Sequence, residues 1–161
     1  MDQLVIRSYQ PSDKQKIKDL YRLSSIHSEI GYRSGPWEAD FDDIEGHFLK
    51  EGEFLVGLVN DEIVAIGGYR KMSNDIGQIR RMRTYPNYRR KGYAQLIIKK
   101  LEEIANQNKI KELRLKTSTQ QKMAQNFYEK NGYEKLITDK KEYYTEGGEN
   151  SFEVIWYRKK F

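Results

Sequence analysis

The sequence predicts an α/β domain built on one mixed sheet, with antiparallel strands in its N-terminal part, a strand–helix–strand crossover in its centre, and flanking helices. Three stretches carry this expectation. "EFLVGLVNDEIVAIGGYRKMS" places two runs rich in Val, Ile and Leu on either side of Asn60 and Asp61, the pattern of a hairpin. "IGQIRRMRTY" reads as a further strand, stopped by Pro86, which cannot donate to a ladder and restricts the residue before it. Between it and the strand "IKELRLKT", Ala94, Ile97, Ile98, Leu101, Ile104 and Ala105 recur at helical spacing, with Lys99, Lys100, Glu102 and Glu103 outside.

The remaining elements follow in order. "QLVIRSYQ" is a first strand, closed by Pro11, after which Ser12 and Gln15 have capping-box spacing at the head of a helix carrying Ile17, Leu20 and Tyr21. "HSEIGYRSGPW" is a loop by its glycines and proline. Trp37, Phe41, Ile44 and Phe48 then share one face of a predicted second helix. Ser118 and Gln121 form a second capping box before a helix that holds Met123 and Phe127 and stops at Gly132. "GYEKLIT" and "NSFEVIWYRKK" read as the last strands, joined by a polar loop that includes "TEGGEN".

The 161 residues suit one domain, 1–161, with a core that needs no staples. The sequence has no cysteine, which excludes disulfides, thiolate metal sites and a cysteine nucleophile, and no metal is expected. No apolar run reaches the roughly 18 residues of a membrane span, and the first residues lack the order of a signal peptide. The expectation is a cytoplasmic protein, monomer or homodimer, with no membrane partner. The net charge of +5 admits anionic partners, and its placement narrows them. Five arginines and no acid lie between Arg80 and Arg90, whereas "EADFDDIE" is strongly acidic.

"TYPNYRRKGYAQLI" gathers Arg89, Arg90 and Lys91 just before Gly92 and the central helix. A helix start already carries unpaired N–H groups and the positive end of the macrodipole, so further cations there cost stability unless an anion arrives. Strand, proline-stopped turn, basic glycine loop and helix together describe a phosphate site. It is neither a Walker loop nor a dinucleotide fingerprint, because the required glycine patterns are missing.

Arg89-Arg90-Lys91-Gly92-Tyr93-Ala94 fits the pattern [QR]-x-x-G-x-[GA], and "AQNFYEKNGYEK" follows about thirty residues later. With its flanking strand and helix, this stretch resembles the acetyl-CoA-binding core of the GCN5-related N-acetyltransferases, whose element order the chain follows from Leu4 to about Tyr157. The resemblance implies that main-chain N–H groups from Arg89 to Ala94 wrap the pyrophosphate of acetyl-CoA. It implies that the backbone of Met82 and Thr84 pairs with the pantetheine arm, and that this strand splays from "LRLKT" to admit the thioester. Tyr128 matches the family tyrosine that protonates the leaving thiolate, although its place beside Phe127 on a helix equally suits core packing. Gln121 stands where the family often has asparagine.

The implied reaction is acetyl transfer to a primary amine of a small molecule or peptide, by direct attack within a ternary complex. Many members place a glutamate in the strand before the cofactor loop; here Gln78 occupies that position and cannot take a proton. Glu38, Glu45, His47 and Glu53 remain as substitutes, alongside a water relay, and no base is assigned; His27 and His47 are the only histidines. The acceptor pocket is expected along residues 24–38, with Ile26, Tyr32 and Trp37 as walls and Glu29, Glu38 and Asp40 as acids suited to a cationic amine. The rival readings are a non-catalytic acyl-CoA sensor and a nucleic-acid-binding module using the arginine cluster, the latter without a recognised nucleic-acid-binding signature.

Overall fold

The computed structural model describes residues 3–29, 32, 34–137, 141–144 and 152–161. Strand β1 (Val5–Ser8) lies at one edge and pairs antiparallel with β2 (Glu53–Val59), Val5 opposite Leu58. β2 forms the expected hairpin with β3 (Glu62–Lys71). Asn60 and Asp61 both have positive φ, 50° and 65°, the turn whose twist matches that of two paired strands. β4 (Ile76–Thr84) pairs antiparallel with β3, and helix α2 (Tyr93–Gln107) then carries the chain to β5 (Glu112–Ser118), parallel to β4. Helix α3 (Lys122–Lys130) precedes the short strands β6 (Glu134–Lys135) and β7 (Tyr143–Tyr144) and the long β8 (Phe152–Lys160). The sheet order is β1-β2-β3-β4-β5-β8-β6, with β7 also on β8.

Each face of this mixed sheet has its own core. On one, Ile97, Ile98, Leu101 and Ala105 of α2 pack with Leu55, Val64, Met82, Leu115 and Tyr157, and Phe127 and Tyr128 of α3 join them. On the other, Ile17, Leu20 and Tyr21 of α1 (Lys14–Ile26) pack with Phe41, Ile44, Phe48, Phe54 and Ile66. The stripes read for α1 and α2 therefore face the core, whereas Trp37 is only half-buried and Met123 is exposed.

Four local expectations are corrected. The Ser12–Gln15 box does not form, because a turn over Pro11–Asp13 precedes α1 and the capping-box contact belongs to that turn, between Gln10 and Asp13. The Asp13 carboxylate accepts the Gln10 N–H at 2.8 Å and both Arg7 N–H groups at 2.7 and 2.9 Å. The segment after Gly35 is two short turns, Pro36–Phe41 and Glu45–Leu49, in place of one helix. There Asp43 accepts the Gly46 N–H, a local bond that competes with helix propagation, although Phe41, Ile44 and Phe48 still face the core. The strand expected over "GYEKLIT" shrinks to β6, with Ile137 exposed, and β7 arises inside what was expected to be loop. "TEGGEN" lies outside the described residues. Of the second capping box half forms: Gln121 Oε1 accepts the Ser118 N–H at 3.0 Å, but α3 begins at Lys122, with Gln121 in place of Ser118 as its N-cap.

Candidate active site

β4 and β5 pair only from Ile76–Gln78 to Glu112–Arg114. Beyond Gln78 the parallel ladder ends and the two strands part, so that among the described residues β4 has no strand partner on that side. The resulting cleft, about 110 Å³, is lined by β4 from Gln78 to Arg83, by Leu115, Lys116 and Thr117 of β5, and by Gln121, Ala124 and Tyr128. The expected splay is therefore present, and Met82, Gln121 and Tyr128 meet in it with Gln78. Thr84 and the Arg89–Ala94 loop lie outside its lining, at and beyond the C-terminal end of β4.

A β-bulge shapes β4. Ile66 faces Arg83 and Gly68 faces Arg80, so Arg81 and Met82 together oppose Gly67. Gly67 is required by this approach: a Cβ there would stand 2.3 Å from Met82 Sδ and 2.9 Å from Ile97. Arg81 adopts φ 62°, a left-handed conformation that costs an arginine about 1–2 kcal/mol. Its partners hold it there. Asp40 accepts two of its N–H groups at 2.8 and 2.9 Å, the Tyr21 hydroxyl accepts a third at 3.0 Å, and the Trp37 carbonyl accepts another. Alternation along an unbroken strand would have split the three β4 arginines between faces. With the extra residue, Arg80 approaches Asp40 at 3.8 Å and Arg83 lies over the Tyr21 ring at 5.0 Å, so both join Arg81 on the α1 face.

The glycine loop follows the turn Pro86–Tyr88. Arg90 has φ 61°, and Gly92, φ 83°, is the N-cap of α2. A Cβ at Gly92 would meet nothing within 4 Å, so the space above the first amides of α2 is open. Arg89 is committed elsewhere: it donates to the Ser24 and His27 carbonyls at 2.9 and 3.0 Å, complementing the negative end of α1. Lys91 stands 5.2 Å from the Tyr88 ring centroid, while Arg90 and Lys91 are exposed. The Tyr93 side chain is buried in the core, which leaves its backbone for any ligand contact, and Ala94 packs against the same core.

Tyr128 is half-buried within the cleft, its ring among those of Phe127, Tyr133 and Tyr157. Burial pushes its hydroxyl up to about 12, against a smaller downward pull from the Arg83 charge. Among the described residues that hydroxyl has no hydrogen-bond partner, so it is a protonated donor free to meet an incoming group. Gln121 braces the entry to α3, its Oε1 also accepting the Thr117 hydroxyl at 3.0 Å. Gln78 is buried, and its Oε1 accepts the Arg70 Nε–H at 3.2 Å.

The acids expected around the acceptor are engaged. Glu29 accepts the Lys122 and Met123 N–H groups at 3.2 and 2.9 Å and so caps α3 from across the fold. Glu38 accepts the Gly35 N–H at 3.2 Å and bonds Tyr32, whose hydroxyl is raised by burial and then by that carboxylate. Glu53 accepts the Ser8 hydroxyl at 3.0 Å. Glu45 faces Tyr9. The cleft lining contains four cations, Arg80, Arg81, Arg83 and Lys116, and among the described residues no carboxylate or imidazole lines it. Sequence reasoning missed the bulge and with it the convergence of the arginines. The available signal was Gly67-Gly68 inside a strand pattern, which marks a bulge or close approach.

The sequence profile described as "Acetyltransferase (GNAT) family" matches residues 17–133, from α1 to just past α3, and the chain belongs to that family. Over 60 residues it is 33% identical to the uncharacterized N-acetyltransferase YedL of Escherichia coli K12, a match that spans 37% of this chain and 38% of that protein. A GNAT-family acetyltransferase of Staphylococcus aureus Mu50 has a similar structure, with a TM-score of 0.83 and 19% identity over 98% of this chain and 99% of the other. The PaiA N-acetyltransferase of Thermoplasma acidophilum, solved in complex with coenzyme A, gives 0.76 and 18% over 99% of each chain. At such identities the superpositions establish the fold.

Proposed function

We propose that the protein transfers an acetyl group from acetyl-CoA to a primary amine by direct attack in a ternary complex. The observation that carries this reading is the unpaired length of β4 facing a cleft with Tyr128 inside it, continuous along the chain with the open amides at Gly92. The residues fit acetyl-CoA as a co-substrate. The free β4 edge near Met82 and Thr84 suits an extended amide-bearing arm. The loop from Arg89 to Ala94 offers helix-start N–H groups and the exposed Arg90 and Lys91 to a pyrophosphate, and Gln121 borders the same slot.

The co-substrate supplies an electrophilic thioester carbonyl with a thiolate leaving group. The chain's part is to position, to donate protons and to exclude water. A backbone N–H beside Met82 is placed to stabilise charge on the carbonyl oxygen, and Tyr128 holds the proton that the departing sulfur needs. With no acid or imidazole lining the cleft among the described residues, the chain supplies no residue there to take the amine proton. Arg83, which has no carboxylate partner among the described residues, instead disfavours an ammonium ion and lowers the amine's own pKa, so that its proton leaves to water.

The same composition is what favours the second reading, a CoA-binding sensor without turnover. Release of free thiol from acetyl-CoA over a panel of small-molecule and peptide amines decides between them. Turnover that falls about 100-fold or more in Tyr128→Phe supports the enzyme with Tyr128 as its acid; tight acetyl-CoA binding without turnover on any amine supports the sensor. The burial of Arg81 and the docking of Arg89 on α1 weigh against a surface stripe for nucleic acid.

A further inference from the structure

Arg83 lacks a partner of the kind its neighbours have. The bulge brings three arginines to the α1 face, and the one buried acid there, Asp40, is held by Arg81 and approached by Arg80. Among the described residues Arg83 pairs with no carboxylate. Its guanidinium lies over the Tyr21 ring and gives one N–H to the Met82 carbonyl at 2.9 Å, while its Nε–H is buried with no acceptor. A buried donor on a cation is costly to leave unmet and calls for an explanation. Among the described residues, the other buried side-chain polar atom in that state is Ser25 Oγ, one helical turn along α1 from Tyr21. Arg83 itself lines the cleft, and its guanidinium lies against Tyr21 of α1, with Tyr32 packed edge-on to that ring.

We propose that this part of the cleft recognises a carboxylate on the acceptor, bound by the Arg83 guanidinium, so that the acceptor is an amine that also carries a carboxylate, an α-amino acid being the simplest. The inference rests on the acetyltransferase reading above and names the substrate class of that site. An arginine fork matches a carboxylate in two parallel hydrogen bonds, and Arg83 is the lining cation that has no carboxylate partner among the described residues, whereas Arg80 and Arg81 meet Asp40 and Lys116 meets Glu142. The Arg83 charge is felt at the Tyr128 hydroxyl, so a carboxylate held by Arg83 brings its neighbouring amine close to the proton donor. The engaged state of Glu29, Glu38 and Asp40 removes the acids that a polyamine would need, and the Arg83 charge repels one.

The test is the rate of thiol release from acetyl-CoA with the twenty L-amino acids and simple dipeptides, the two sources of this chemistry. Each active compound is paired with its carboxamide and its decarboxylated amine, and spermidine is included. The wild type is expected to use the carboxylate-bearing member with kcat/KM about 10- to 100-fold above its pair, the discrimination of a charged hydrogen bond. Arg83→Met is expected to abolish that preference through a raised acceptor KM, and Arg83→Lys to restore part of it. Both variants should melt cooperatively and still be stabilised by acetyl-CoA, which separates loss of recognition from loss of fold. Equal or faster acetylation of the amides, amines or spermidine by the wild type overturns the inference, as does a preference that survives Arg83→Met. Failure of every carboxylate-bearing amine in a protein that binds acetyl-CoA overturns it too, and leaves the cofactor site standing. A wild type that binds no acetyl-CoA sinks the activity reading, and this inference with it.

Discussion

Substituting Gly92 separates conformational strain from ligand binding at a single residue. Gly92 has φ 83°, and a Cβ there meets nothing within 4 Å, so Gly92→Ala carries only the left-handed penalty, about 1–2 kcal/mol. For a chain of 161 residues this lowers Tm by about 2–8 °C. Gly92→Asp costs no more in the free protein, since aspartate tolerates that conformation better than most residues. Its carboxylate, however, extends into the open space before α2, where the amides and the positive end of the helix would meet a pyrophosphate. Acetyl-CoA at 100 times its Kd stabilises a protein that binds it by about 2.7 kcal/mol, a rise in Tm of about 5–11 °C here. Thermal unfolding of the three proteins with and without acetyl-CoA reads both effects. The alanine variant should melt lower and keep a rise at higher ligand concentration, whereas the aspartate variant should melt near it and show no rise. An undiminished rise in Gly92→Asp would refute the assignment of this loop to pyrophosphate.

Asp40→Asn should leave Arg81, with a side chain only 6% exposed, as an uncompensated buried charge, costing about 3–5 kcal/mol and visible as a Tm lowered by about 6–20 °C. A loss below 1 kcal/mol in urea unfolding would show that the bulge does not depend on this pair. Alkaline stability depends most on the three tyrosines whose hydroxyls burial raises furthest: Tyr128, Tyr133 with Glu102 adding to it, and Tyr157 with Glu129 adding to it. Each keeps its proton in the folded state after the unfolded chain has lost its own near pH 10, so their stabilisation is complete below pH 10 and declines as pH rises toward the folded values. Unfolding free energy from urea titrations should fall by about 1.4 kcal/mol per pH unit for each tyrosine above pH 10. A flat profile from pH 9 to 11.5 would contradict that burial.

Elements set by local chemistry were legible in the sequence: the hairpin at Asn60-Asp61, the strand stopped by Pro86, and α2 with its apolar stripe. The cleft was legible only through family resemblance, because a splay is the absence of pairing beyond Gln78 and nothing in either strand's own pattern encodes it. The bulge escaped because Arg80-Arg81-Met82-Arg83 reads as a regular alternation until Gly67 is seen opposite two residues. The second helix failed for a local reason, the Asp43 bond to the Gly46 N–H, and β7 because two residues pair only where β8 runs beside them. Glu29 looked like a ligand for an amine and is instead a cap on α3, a contact across 93 residues that no window of sequence contains.

In the function proposed above, acetyl-CoA lies along the unpaired edge of β4 and against the start of α2. Amide hydrogen exchange with and without saturating acetyl-CoA tests it most directly, read on peptides covering residues 79–84 and 89–96. Exchange should slow in both segments, as β4 gains a pairing partner and the helix-start N–H groups gain acceptors, with little change in β1 at the far edge of the sheet. Saturation with acetyl-CoA that leaves both segments unchanged, or protects a different surface, would contradict it.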